Sequence, residues 1–341
     1  MSRIPSKEEL LRGSENIYCS IGQHLLPNRP TSTAKSTDLA VDVDVTVVTV
    51  CFNPLKSGRK ELFLKNLDSV QAQENVRLEH LIIDGNSPDG TFEWLKTYNA
   101  KRHDIRILSK PDSGIYDAMN RGIALARGRY VIFLNSDDYF HNPFGMALSL
   151  ERVEEMQCDF TFAPICFSDP SVRRNPQLAP QKRIHRFLIS WCFSHQSMLT
   201  SRSFLMKIDG FDTSYRSAAD YDLLLRMVVA GAKGCFVPHA FSTFTLGGFS
   251  ALQENKKLIE DECIRCLQAF FHNLYALNMD HDDAEYIFRH RVFPLKYLNI
   301  YKHLQKYIRK HFIGIPESPA ARLSQWFNYI KYYLKCLRSN A

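Results

Sequence analysis

KPDSGIYDAMNRGIALARGRYVIFLNSDDYF, residues 110–140, is the stretch that decides the fold. It reads as a capped helix, a tight turn, a buried strand and two adjacent carboxylates at the strand's end. Asp112 or Ser113 is expected to cap the helix, because a short side-chain oxygen accepts from the free N–H groups of a first turn. Ile115, Ala118, Met119, Gly122, Ile123 and Ala126 recur at helical spacing as an apolar stripe. Asp117 and Arg121 stand one turn apart on the other face, set to pair. Gly128 follows as a stop that tolerates positive φ. Residues 130–134 are apolar without alternation, as in a parallel strand covered on both faces. They run into Asn135-Ser136-Asp137-Asp138.

That tetrapeptide is where chemistry is expected. In open α/β sheets ligands bind beyond the carboxyl ends of the strands. Two neighbouring carboxylates repel each other unless a cation neutralises them, and hard oxygens suit Mg²⁺ or Mn²⁺, which in turn hold phosphate. Strand side chains alternate in direction, so Asp137 and Asp138 can share a ligand only if the chain turns there. The plain alternative is a solvated turn, where Asp and Asn are common.

Upstream, residues 41–52 (VDVDVTVVTVCF) form a β-branched run that Asn53-Pro54 stops. A helix over 59–73 presents Leu62, Phe63, Leu67 and Val70 on one face. A strand over 78–83 ends at Asp84 and enters a turn-rich loop, Gly85 to Thr91, before a helix over 92–98 and a strand over 105–108. The order β-α-β-α-β-α-β predicts a parallel sheet with right-handed crossovers. No G-x-G-x-x-G or G-x-x-x-x-G-K-[ST] occupies the strand-to-helix turns, which argues against a standard dinucleotide fold and a P-loop NTPase. Downstream, a helix is expected over 142–156 and a strand over 160–167. A mobile loop over 168–185, the tetrapeptide Ser194-His195-Gln196-Ser197 and a short helix near Phe204 come next. Gly210-Phe211-Asp212 leads to an amphipathic helix carrying Asp220 and Asp222, which Gly231 caps. A strand over 236–244 is broken by Pro238, and residues 252–338 read as helical and rich in Tyr and Phe.

The chain has 341 residues, 45% hydrophobic and 23% charged, which is ordinary for a soluble globular protein. Three parts are expected: a flexible extension over 1–40, an α/β domain over 41–250 and a helical, basic extension over 251–341. No apolar run approaches the roughly 20 residues that span a bilayer, and the first residues lack the apolar core of a secretory signal. Nine cysteines, with one isolated C-x-x-C at Cys263 and Cys266, read as reduced thiols of a cytoplasmic protein rather than a zinc site.

The net charge of +7 is concentrated late: beyond Arg289, Glu317 is the single acid. Nucleic acid is not an expected partner, since no matching fold motif is present. An anionic membrane surface is. Tyr301, Leu304, Tyr307 and Ile308 share helical spacing beside Lys302, Lys306, Arg309 and Lys310. Trp326, Phe327, Ile330, Tyr333, Leu334 and Leu337 repeat the pattern. The alternative is that these faces pack on the α/β domain or on a second subunit.

Taken in order, residues 47–53, 83–91, 111–122 and 133–138, then His195-Gln196, Gly210-Phe211-Asp212 and Ala219-Asp220-Tyr221-Asp222, resemble the family 2 glycosyltransferases. The similarity is greatest to the bacterial branch that builds surface polysaccharides such as colanic acid and O-antigen, and it covers about residues 43–250. It implies a GT-A fold: a Rossmann-like, mostly parallel α/β sheet flanked by helices. It implies transfer of one sugar, with inversion, from a nucleotide-sugar donor, with a UDP-sugar favoured, to a lipid-linked oligosaccharide. It also implies a cytoplasmic enzyme, peripheral on the inner face of the membrane.

Residue by residue, the resemblance makes Asp84 the contact to the nucleobase and places Asn53 and Asp112 near the nucleotide sugar. Asp137 and Asp138 match the element that binds the donor diphosphate through Mn²⁺ or Mg²⁺, although Asn135 replaces a frequent first Asp. Asp220 matches the general base, with Ala219 in place of the usual Glu, and Asp222 is the competing candidate. His195 and Gln196 either line the acceptor pocket or bond inside the core. Such a base must reach the acceptor hydroxyl, and the metal stabilises charge on the departing diphosphate. Two other functions compete. A sugar-phosphate nucleotidyltransferase would want a Gly-rich basic loop where Cys51-Phe52-Asn53-Pro54 stands, and a nucleotide-sugar-binding scaffold would not need all these acids.

Overall fold

The structure, a computed structural model, describes residues 17–19, 43–100, 105–169, 177–178, 194–248, 252–290 and 293–314. β1 (Ile17–Cys19), within the stretch expected to be a flexible extension, is instead a strand of the sheet, and from there the N-terminal half follows the expected alternation: β2 (Val45–Cys51), α1 (Lys60–Gln71), β3 (Leu78–Asp84), α2 (Thr91–Asn99), β4 (Ile105–Ser109), α3 (Ile115–Leu125) and β5 (Tyr130–Phe133). Then come β6 (Tyr139–Phe140), α4 (Gly145–Glu155), β7 (Phe160–Phe162), β8 (Ile165–Ser168) and β9 (Gln177–Leu178). They are followed by β10 (Thr200–Ser201), α5 (Arg202–Lys207), α6 (Ala219–Val229), β11 (Gly234–Phe236) and β12 (Ser242–Thr245). The chain continues through α7 (Lys256–Tyr275), α8 (His281–His290), α9 (Leu298–His311) and β13 (Phe312–Ile313).

Among the described residues the main sheet has the order β1-β4-β3-β2-β5-β10-β7-β11-β13. β4, β3, β2 and β5 run parallel, with Val48 opposite both Leu81 and Phe133. β10 enters antiparallel between β5 and β7. A second sheet, β6-β12-β8-β9, stands beside it. The expected single strand over 160–167 is therefore two strands in two sheets, and so is the one over 236–244. The break has a hydrogen-bonding reason: β7 pairs with β11 while β8 pairs with β12.

The unbroken apolar run of β5 is explained by two cores. Val131 and Phe133 join one cluster with Val48, Leu81, Met119 and Ile123, whereas Ile132 joins Val45, Val47 and Leu150 on the other face. Each such fully buried side chain contributes about 1.5–3 kcal/mol. On α3 the stripe faces inward at Ala118, Met119, Gly122 and Ile123, but Ile115 is exposed. Gly122 is needed for close approach: a Cβ there would meet Val48 Cγ1 at 2.3 Å. The expected pair Asp117–Arg121 forms at 3.0 Å.

Two expectations for this helix are corrected. Neither Asp112 nor Ser113 caps it; Gly114 is the N-cap, Asp112 bonds only the Gly114 N–H, and Ser113 turns to Asp117. Gly128 does not take positive φ. It is small because the chain crosses β2 there, where a Cβ would lie 2.5 Å from the Thr46 amide nitrogen.

The C-terminal helices share the first core cluster: Cys263, Leu267 and Phe271 of α7 meet α6, and Leu304 and Ile308 of α9 are buried. The Tyr307 hydroxyl donates to the Val228 carbonyl at 2.8 Å. This face of α9, expected to meet a membrane, is thus packed inside the protein. Phe312, expected to be helical, instead sits in β13, parallel to β11 and edge-on to Phe160. The second amphipathic face, from Trp326 onward, lies outside the described residues, as do residues 1–16, 20–42 and most of 168–185. Among the described residues no helix is long and apolar enough to cross a membrane.

Candidate active site

The parallel strands end side by side, so residues 51–53, 84–87, 109–112 and 135–138 gather at one edge of the sheet. Beyond β5 the chain does turn: the Asp138 N–H donates to the Asn135 carbonyl at 3.0 Å. Asn66 of α1, fully buried, holds this turn by donating from Nδ2 to the carbonyls of Asn135 and Asp138, both at 2.9 Å. The turn separates the two acids. Asp137 keeps some exposure and pairs with Arg59, whose other nitrogen donates to the Gly247 carbonyl at 2.6 Å. Asp138 is 1% exposed and accepts from Gln196 Nε2 at 2.7 Å and from the Thr245 N–H at 2.8 Å. Burial, and then the charge of Asp137, push its carboxyl up to about 8. Burial raises Asp137 as well, against the pull of Arg59.

Asp84 is likewise spent inside. It is fully buried and accepts from the Ser87 amide and hydroxyl and from Ser109 Oγ at 2.6 Å. These bonds tie the loop after β3 to the neighbouring strand end. The Asn53 backbone, at φ 53°, joins that loop through an N–H bond to Ser87 Oγ at 2.8 Å, while its own Oδ1 is buried without a hydrogen-bond partner. Gly85 lets the Asp112 and Phe52 side chains close over the strand end: a Cβ there would come 2.7 Å from Asp112 Oδ2 and 3.2 Å from the Phe52 ring. Phe52 is 65% exposed.

α6 carries the remaining acids. Asp220, in its first turn, ties Oδ1 to the Tyr221 N–H at 2.9 Å and presents Oδ2 3.5 Å from His195 Nδ1. Asp222 is 8% exposed at its side chain and is engaged by Arg226 Nε at 2.7 Å. That guanidinium also donates to the carbonyls of Ile208 and Gly210. Asp222 therefore braces the Gly210-Phe211 turn, which Asn120 clamps from the other side through both its amide atoms.

His195 and Gln196 divide between the two halves of the site. Gln196 is fully buried and holds Asp138; His195 stands beside Asp220 with neither ring nitrogen hydrogen-bonded. One dipeptide so bridges the acid turn of β5 and the acid of α6.

Among the described residues no three His, Cys, Asp or Glu side chains converge on a metal position. The donor set still suits a divalent cation held mainly by a ligand's phosphates, which needs one or two carboxylates and no protein cage. Asp137 provides a partly open carboxylate, and Asn135 Oδ1, in the same turn, is buried with no hydrogen-bond partner.

Arg59, Asn66 and Phe52 were not singled out from sequence as parts of the site. Asn66 had a signal, being a polar residue inside the stripe Phe63, Leu67, Val70. Arg59 and Phe52 had none, because their importance rests on what lies across the cleft.

An α/β structure with a large central sheet flanked by helices and carboxylates at its strand ends is the architecture of the GT-A fold. The profile of glycosyl transferase family 2 matches residues 46–208. An uncharacterized glycosyltransferase of Mycobacterium tuberculosis is 31% identical over 198 residues, 53% of this chain and 68% of that one. The chain belongs to glycosyl transferase family 2. Solved structures share the fold. S. aureus TarS 1-349 in complex with UDP-GlcNAc has a TM-score of 0.55 and 16% identity, covering 79% of this chain and 81% of that one. The mannosyltransferase PcManGT from Pyrobaculum calidifontis, in complex with GDP-Man and Mn²⁺, has a TM-score of 0.53 and 16% identity, covering 88% and 84%.

Proposed function

We propose that the protein transfers one sugar, with inversion, from a nucleotide-sugar donor to a lipid-linked oligosaccharide in surface-polysaccharide synthesis, in the manner of colanic acid or O-antigen assembly. The observation that carries the reading is the state of Asp220: of the two acids on α6, Asp222 is held by the Arg226 guanidinium, whereas Asp220 faces a His195 ring whose nitrogens have no hydrogen-bond partner. Asp220 takes the proton of the acceptor hydroxyl as that oxygen attacks the anomeric carbon and the bond to the diphosphate breaks.

The donor's base would stack on the exposed ring of Phe52, with Asp112 at its edge and Asp84 fixing the loop from behind; a uridine donor is preferred. Asp137 and Asn135 would hold Mn²⁺ or Mg²⁺, and such an ion would offset the charge of the leaving diphosphate. Arg59, beside Asp137, would be a further cationic group for the diphosphate. The TarS and PcManGT complexes with nucleotide sugars support this placement by fold alone.

Membrane contact, if the acceptor is lipid-linked, falls to the outward face of α9, where Lys302, Lys306 and Lys310 are exposed. From α9 it is an electrostatic contact rather than insertion, since the apolar face of that helix is already used.

The test is a screen of nucleotide-sugar donors with Mn²⁺, using extracted lipid-linked intermediates as acceptors and mass spectrometry as readout. A product heavier by one sugar, with the nucleoside diphosphate released, is expected. Binding of donors without release of any nucleoside diphosphate would instead mark a binding protein.

A further inference from the structure

Glu262 lies on α7, beyond the residues matched to the family, and is 4% exposed. A buried carboxylate must find donors, and this one finds three in a row. Oε1 accepts from the Arg216 N–H at 2.7 Å, and Oε2 accepts from those of Ser217 at 2.8 Å and Ala218 at 2.9 Å. Consecutive amides turned toward one anion form a concave nest, and bonds to an ionised acceptor are roughly twice as strong as neutral ones. The carbonyls of the same segment are held as well. The Tyr116 hydroxyl donates to Ser217 O at 2.6 Å, and the Cys266 thiol to Ala218 O at 3.7 Å. Arg265 lies over the Tyr215 ring at 4.5 Å.

Ala218 is the N-cap of α6, it has no side-chain cap of its own, and Asp220 stands two residues further on. We infer that Glu262 is a positioning residue for the transfer reaction: its carboxylate clamps residues 216–218 and thereby sets where the Asp220 carboxylate meets the acceptor. The C-terminal helical layer is, on this account, a working part of the active site. The inference rests on the reading of Asp220 as base. A base displaced by about 1 Å can lose on the order of 10²-fold in rate, so a clamp of this kind acts on turnover and not on donor affinity.

The experiment uses the full chain with Glu262→Gln, which keeps shape but turns an NH₂ toward backbone N–H groups. Three readouts are compared with the parent: amide hydrogen exchange across residues 211–225, UDP affinity with Mn²⁺ by calorimetry, and kcat and KM for UDP release from a panel of UDP-sugars with extracted lipid-linked acceptors. Exchange at 216–218 is expected to accelerate at least tenfold. UDP affinity and donor KM should stay within about twofold, and kcat should fall at least tenfold. Glu262→Asp, which keeps the charge on a shorter arm, should recover part of kcat.

Unchanged exchange, or kcat within twofold of the parent, overturns the inference. If Glu262→Gln does not fold, Tyr116→Phe, which removes the bond to Ser217 O, serves in its place. It should give faster exchange and a kcat loss of at least threefold, and unchanged values again overturn the clamp. Asp220→Asn run in parallel separates the two claims: full activity there sinks the assignment of the base, whereas an inactive Asp220→Asn beside a normal clamp variant sinks only the clamp.

Discussion

Nδ1 of His195 stands 3.5 Å from Oδ2 of Asp220, too far for a hydrogen bond, and neither nitrogen of the ring has a hydrogen-bond partner. A buried polar group left unpaired costs about 1–3 kcal/mol. Such a cost is kept where the group serves a ligand. His195→Leu should therefore melt no lower than the parent, while turnover falls by about tenfold or more with UDP affinity unchanged. Thermal melts beside steady-state kinetics decide it; a variant that is less stable and fully active would make His195 a structural residue.

Asp220 and Asp222 are two residues apart and chemically alike, yet their surroundings assign them different tasks. Asp220→Asn should lower transfer by about 10²–10⁴-fold with near-normal UDP binding, as loss of a general base does. Asp222→Asn weakens the bond to Arg226 and should instead lower the melting temperature. If Asp222→Asn is the inactive, normally folded variant, the base has been misassigned.

The same contrast applies to the acid turn. Asp137→Asn should abolish most of the gain in UDP affinity that Mn²⁺ provides. Asp138→Asn can still accept one of the two bonds from Gln196 and Thr245 but not both, so it should cost about 1–3 kcal/mol of stability. Its metal-dependent gain should stay within about threefold of the parent. Calorimetry of UDP with and without Mn²⁺ reads the first effect and urea titration the second; an equal loss of metal response in both variants would restore Asp138 as a ligand.

His80 supplies a pH dependence away from the site. It is buried in β3 with Nε2 3.0 Å from Thr49 Oγ1, and burial lowers its pKa to about 3 from an ordinary 6.5. The folded protein keeps the ring neutral while the unfolded chain protonates it. The stabilisation is present in full above about pH 6.5 and is lost as pH falls toward 3. By pH 4 the loss should be about 3 kcal/mol. His80→Gln should flatten this part of the stability profile in urea melts between pH 7 and 4. A variant that declines as steeply as the parent would place the acid sensitivity in other groups.

What the sequence determined by itself was everything that depends on neighbours along the chain. The β-branched run of β2, the helical spacing of α3 and the unbroken apolar β5 announce the sheet and its crossovers, because secondary structure is read from periods of two and 3.6 residues. The positions of Asp84, Asp137 and Asp220 at element ends follow from the same periods.

Tertiary structure decided what each of these groups touches. Asp84, Asp138 and Asp222 are bound by Ser109, by Gln196 and Thr245, and by Arg226. Asp138 and its partners lie 58 and 107 residues apart in sequence, a separation no local pattern encodes. Burial of α9 is likewise invisible in its amphipathic spacing, which is the same for a face meeting lipid and a face meeting Val228. Gly128 shows the point at one residue. Its place after a helix suggested a stop with positive φ, but the constraint comes from Thr46, 82 residues earlier, whose backbone leaves no room for a Cβ.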